Sequence, residues 1–150
     1  MKYIKSVILC IIVGFFMGFF LFSQYGKGSS VVPVLKTGEP VTFLKINTYE
    51  NINILETELK NFENYIYKQT ENGYSAYIGI TGKKENIKKI QDYYNSLGYI
   101  TVEEEFLIKD KKFIEILETL DNMLIESTNN EVIKNIIMET LSKYEECMSQ

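Results

Sequence analysis

Two stretches of the chain hold residue types from which chemistry is usually built. The first is Gly79-Ile80-Thr81-Gly82-Lys83-Lys84, in which two glycines and two lysines lead into a helical pattern, as in a phosphate-cradling loop. A P-loop needs four residues between its first glycine and the Gly-Lys step, followed by Ser or Thr for magnesium. Here two residues intervene and Lys84 stands where the hydroxyl is needed, so the spacing and the ligand both fail. The second stretch is Glu103-Glu104-Glu105, carboxylates that could in principle cleave a glycoside or bind calcium. On a strand they alternate sides, so at most Glu103 and Glu105 share a face, and the run reads as a charged edge that discourages aggregation.

Composition narrows the chemistry further. The chain has 150 residues and no His, Arg or Trp. Without His it lacks the usual general base and the commonest metal ligand, and without Arg it lacks the bidentate clamp for phosphate or carboxylate. The expectation is a non-enzymatic protein with no metal and no cofactor. Acids outnumber lysines 20 to 16, which argues against broad attraction to nucleic acid. RNA binding would also want an aromatic RNP1-like motif, and none is present. Cys10 and Cys147 lie at opposite ends, the first inside an apolar run, and read as free thiols.

That apolar run, SVILCIIVGFFMGFFLF from Ser6 to Phe22, is uncharged and extends to Tyr25. It reaches the lower end of the roughly 17–25 residues that span a bilayer as a helix. Lys2 and Lys5 precede it, which puts the N-terminus in the cytoplasm and the rest of the chain outside the cell membrane. A cleaved signal peptide is the rival reading, but no small-x-small cleavage site follows the run. Gly14 and Gly18 form a GxxxG spacing that would let two spanning helices pack closely, although two glycines four apart also arise by chance. Residues 26–40, with Pro33 and Pro40, read as a tether.

The positioning elements follow from periodicity. Val41 to Thr48 alternates as a strand, and Ile52, Leu55, Leu59 and Phe62 form a helical stripe over about Asn51–Asn61. Asn64–Thr70 and Tyr74–Ile80 read as strands joined by a turn with an Asn72-Gly73 step. Ile87, Ile90, Tyr94 and Leu97 form a second stripe ended by Gly98, and Ile100–Ile108 is a last strand. The order is βαββαβ, in two halves that both open a helix at Glu-Asn-Ile, at Glu50 and at Glu85. The expected fold is α+β, an antiparallel sheet with two helices on one face. Beyond it, Phe113, Ile116, Leu117, Leu120 and Leu124, then Ile133, Ile136, Ile137, Leu141 and Tyr144, predict a C-terminal helical hairpin over residues 109–150, with Asp110 and Asn130 as N-caps. Too small to stand alone, it must pack on the domain, self-associate or receive a protein partner.

Tyr74-Ser75-Ala76-Tyr77-Ile78-Gly79, Lys84-Glu85-Asn86-Ile87 and Leu97-Gly98-Tyr99 together resemble the second half of a SPOR domain, with the resemblance covering residues 41–108. Ile46-Asn47-Thr48-Tyr49 and Lys45 depart from the family's pattern in the first half. The resemblance implies an RNP-like fold that binds peptidoglycan, especially glycan strands stripped of stem peptides, at division or sporulation septa. If Leu44, Ile46, Ile66, Ala76 and Ile78 face the helices, alternation leaves Phe43, Lys45, Tyr65, Tyr67, Ser75 and Tyr77 on the open face, where rings could stack on sugars. Two other readings stand beside this one: the tyrosines reflect β-propensity alone, or the C-terminal helices cover that face. The runner-up function is a membrane-tethered protein-interaction module without glycan affinity.

Overall fold

A computed structural model describes residues 38–149 of the chain. The expected membrane span with Gly14, Gly18 and Cys10, and nearly all of the tether, lie outside the described residues. Among those described, no helix is long and apolar enough to cross a membrane.

The elements run β1 (Glu39–Tyr49), α1 (Ile52–Glu58), β2 (Ile66–Thr70), β3 (Gly73–Thr81), α2 (Lys84–Ser96), β4 (Val102–Ile108), α3 (Lys111–Glu126) and α4 (Asn130–Met148). The strands form one antiparallel sheet in the order β2-β3-β1-β4. The α+β expectation thus holds, with four helices around a four-stranded sheet. Helix α1 starts where the side chain of Asn51 accepts from the backbone N–H of Ile54, at 3.0 Å, and it is shorter than the stripe suggests. Helix α2 has no equivalent cap. Lys83 holds the capping position, and Asn86 lies one turn inside the helix, fully buried. The two Glu-Asn-Ile steps therefore match in sequence but not in role.

Both helices pack on one face of the sheet. Leu55 and Leu59 of the α1 region close on Tyr49 and Ala76. Ile90 of α2 lies over Gly79 so closely that a Cβ there would sit 2.9 Å from its Cγ2 and 3.3 Å from Leu44. Gly79 is needed because the helix approaches the backbone itself. Gly98, with φ +88°, ends α2 as the sequence predicts.

The hairpin is part of the same core. Phe113, Leu117 and Leu124 of α3 and Ile133, Ile136, Ile137 and Leu141 of α4 are buried in one cluster with Leu44, Ile78 and Ile80. Burying each large aliphatic side chain contributes about 1.5–3 kcal/mol, enough for these seven to hold the hairpin down. Strand β2 pairs only with Gly73–Tyr77, which leaves Ile78–Thr81 of β3 without a strand on that side. Helix α4 packs against β3, and its Met138 carbonyl accepts from Asn64 Nδ2, just ahead of β2. Asp110 caps α3 as expected, its Oδ1 accepting from Phe113 N at 2.6 Å. For α4 the cap is Asn129 rather than Asn130, with Oδ1 accepting from Glu131 N at 2.8 Å.

Candidate functional site

The loop that resembles a phosphate cradle does hold an anion, and the chain supplies it. Between β3 and α2, Thr81 Oγ1 donates to Asp121 Oδ1 at 2.5 Å and Gly82 N donates to Asp121 Oδ2 at 2.8 Å. Asn86 Nδ2 donates to Asp121 Oδ1 at 2.9 Å and to its backbone carbonyl at 3.0 Å. Asp121 comes from α3 and is 3% exposed. Burial pushes its carboxyl above the ordinary range, against the pull of these three donors and of Lys83. Lys83 Nζ donates to Asn122 Oδ1, and Lys89 Nζ donates to the carbonyls of Leu124, Ile125 and Ser127 at 2.7–2.8 Å. Those carbonyls form the C-terminal end of α3, where a cation is favoured. Gly82 and Lys83 of this turn, with Lys89 of α2, therefore dock α3. Asp121 has no signal in the sequence, because nothing local shows which distant acid would fill the loop.

On the sheet face away from α1 and α2 lies a cleft of about 850 Å³, lined by residues of β1, β2, β3, β4, the turn into α3 and the end of α4. Directly opposed antiparallel partners point their side chains to one face. By that rule Phe43, Lys45 and Tyr77 share this face with Glu104 and Phe106, through the pairs Phe43↔Glu104, Lys45↔Tyr77 and Val41↔Phe106. Phe43 meets Tyr77, Phe106 and Tyr144 of α4 edge-on, with centroids 4.9–5.7 Å apart. Tyr144 in turn packs on Phe113, so the C-terminal helix covers part of the face.

The expected open-face residues separate under this geometry. Phe43 and Tyr77 lie on the expected face but are buried, Tyr77 at 2% exposure, so neither ring is free to stack. Ser75 is buried too, its Oγ 2.9 Å from Thr48 Oγ1. Lys45 is paired with Glu104. Tyr65 is elsewhere, while Tyr67, 54% exposed, lines the cleft. Tyr67 opposes Ala76, which belongs to the α1 cluster, and its ring meets Tyr74 at 6.1 Å. Tyr65 packs beside Ile46 and Phe62 against that same cluster. The opposite assignment of Ile66 also reverses, because Ile66 pairs with Tyr77 and lines the cleft. A short edge strand of mixed residues carries a weak alternation, and one step of register moves every side chain to the other face.

Besides Tyr67, the cleft's accessible surface comes from residues that periodicity did not single out. Lys68 Nζ sits 4.6 Å from the Phe106 ring centroid, a cation–π contact. Lys109, Leu107 and Met148 complete the wall. Beneath them Glu104 accepts from Lys45 Nζ at one oxygen and from Tyr77 Oη at the other, at 2.7 Å. The hydrogen bond from Lys45 leads in holding the Glu104 carboxyl below its usual range, with Tyr77 adding to it. Burial, then the bond to Glu104, pushes the Tyr77 phenol well up. Of the glutamate triplet, Glu104 is thus a structural partner, while Glu103 and Glu105 are exposed. Among the described residues no group of three or more His, Cys, Asp or Glu could hold a metal ion.

Compared with the known protein families, the curated proteins and the solved structures, the chain matches none.

Proposed function

We propose that this chain is a membrane-anchored, non-enzymatic module outside the cell membrane, SPOR-like in organisation, that binds peptidoglycan glycan strands during division or sporulation. The observation that carries the reading is the cleft on the sheet face, where Phe106 offers an aromatic wall beside Lys68 and Lys109. Sugar rings stack their apolar faces on such a wall and find polar partners at its rim. The βαββαβ order, the β2-β3-β1-β4 sheet and the quoted motifs of residues 74–99 support the same reading. An uncharged N-terminal run would keep the module at the membrane.

The test is retention of the full chain, in detergent micelles, on purified sacculi. Phe106→Ala should reduce retention about tenfold while the protein still melts cooperatively, a change worth about 1.4 kcal/mol. Absence of any retention by the wild type sinks the glycan reading.

One observation favours the runner-up, a protein-binding module. Leu97, Ile100 and Val102 are exposed beside β4, an outer strand of the sheet, and Ile100 is 80% exposed. An apolar patch at a sheet edge is a common seat for a partner. Under that reading, Val102→Asp with Ile100→Asp would abolish partner capture and leave sacculus retention untouched.

A further inference from the structure

The sheet has an open edge at β4. Among the described residues Val102–Ile108 pairs with β1 alone, so alternate backbone N–H and C=O groups point outward with no strand to receive them. Apolar side chains along that edge are exposed as well, Val102 and Leu107 on the strand and Leu97 and Ile100 just ahead of it. Between Val102 and Leu107 stand the three glutamates. Glu104 points into the cleft, where Lys45 and Tyr77 hold it. Glu103 and Glu105 lie on the helix face with Leu107, through the pairs Leu44↔Glu103, Thr42↔Glu105 and Pro40↔Leu107. There both glutamates line a groove of about 720 Å³ between α2 and β4. Gln91 Nε2 donates to Glu103 Oε1 at 3.2 Å, while Lys84 and Lys88 of the same groove form no ion pair with either glutamate.

Charge decides what can lie along this edge. In an antiparallel β4–β4 pair centred on Glu104, a second copy would set Glu103 against Glu105 and Glu104 against its own equivalent, and like charges directly opposed are destabilising. The same carboxylates favour a strand of opposite charge. The described part of the chain, with twenty Asp and Glu against twelve Lys, attracts such a strand from a distance. We infer that β4 receives an extended segment of a protein partner, added to the edge of the sheet, with basic residues at i and i+2 over Glu103 and Glu105 and an apolar residue beyond them over Leu107. The backbone ladder gives affinity. The basic pair gives register, since a slip by one residue moves both cations to the other face. This deepens the protein-partner reading above and is independent of the glycan reading, which uses the cleft.

The probe is the peptide Val-Thr-Lys-Thr-Lys-Thr-Val, blocked at both ends, whose palindromic order meets β4 in either direction. Its binding to the full chain in non-ionic micelles is read by fluorescence anisotropy, with empty micelles as the blank. The wild type should bind it, more weakly as salt is raised, and should bind Val-Thr-Glu-Thr-Glu-Thr-Val about tenfold less tightly. The double variant Glu103→Gln, Glu105→Gln should lose about tenfold in affinity for the lysine peptide with an unchanged thermal melt, since both side chains are exposed. Methylating the peptide's backbone nitrogens, in one version at the lysines and in another at the threonines, should abolish binding for the set that faces β4. Failure of the lysine peptide to bind, binding that survives both methylations, or unchanged affinity in the double variant overturns the basic strand, and so does self-association of the wild type through β4. Partner capture that depends on Ile100 and Val102 while the peptide stays unbound overturns only the basic strand. Capture indifferent to those two residues, with the peptide unbound, overturns both readings.

Discussion

Two carboxylates in this protein are each held by neighbouring donors, and their environments push them in opposite directions. Asp121 is buried between α3 and the β3–α2 turn and receives only neutral donors, from Thr81, Gly82 and Asn86. Glu104 lies in a half-open cleft and receives a lysine as well as a phenol. The first carboxyl is raised and the second lowered. Hydrogen bonds alone do not offset the loss of water around a buried charge, whereas a cation at a partly solvated site does. The buried network costs more to assemble and more to break, so it fixes how the hairpin docks. The cleft network, partly solvated, is cheaper to alter.

The largest effect should come from Asp121→Ala, which strands the Thr81 hydroxyl, the Gly82 N–H and the Asn86 amide in a dry site. We expect a loss of about 3 kcal/mol in chemical denaturation, because each buried group left unsatisfied costs roughly 1–3 kcal/mol. A loss below 1 kcal/mol would mean the turn does not fix α3. Glu104→Gln should cost less than about 1 kcal/mol, since its ion pair with Lys45 is partly exposed and screened. If the two substitutions cost the same, the contrast between buried and open networks fails.

The smallest effect, and the sharpest test of sign, is the pH dependence. Asp121 has a raised folded value, so its contribution is fully present below the ordinary aspartate range and is lost as pH rises through that raised value. Glu104 has a lowered folded value, so its contribution is present above the ordinary glutamate range and is lost as pH falls through the lowered value. Denaturation curves between about pH 3 and 7 should therefore lose a falling component in Asp121→Asn and a rising one in Glu104→Gln. The same slope in both variants would refute the assignment.

How much of this was legible in the sequence differs from one element to the next. The stripes of Ile87, Ile90 and Tyr94 and of Ile133, Ile137 and Leu141 announced their helices, since a period near 3.6 survives wherever one face is buried. Asp110 was a readable cap because a capping side chain bonds to backbone only a few residues away, and the cap expected at Asn130 fell one residue earlier, at Asn129. The phase of β2 was not readable: Tyr65, Ile66, Tyr67 and Lys68 give no clean alternation, and pairing with β3 alone put Ile66 opposite Tyr77 and Tyr67 opposite Ala76. Of the six residues expected on the open face, the sheet carried Phe43, Lys45, Ser75 and Tyr77 to it and closed packing over most of them, Tyr67 lines the cleft, and Tyr65 packs elsewhere.

By itself, the sequence determined an α+β chain with a βαββαβ order, an apolar N-terminal run and a C-terminal hairpin, because these rest on local period, capping and charge. Only the tertiary structure decided that Asp121 fills the turn after β3, that Tyr144 covers Phe43, and that Lys68 meets Phe106 across the sheet. Each of those contacts joins residues 38 or more positions apart. Which residues meet over such separations is set by how the sheet and helices pack, and no short-range pattern records it.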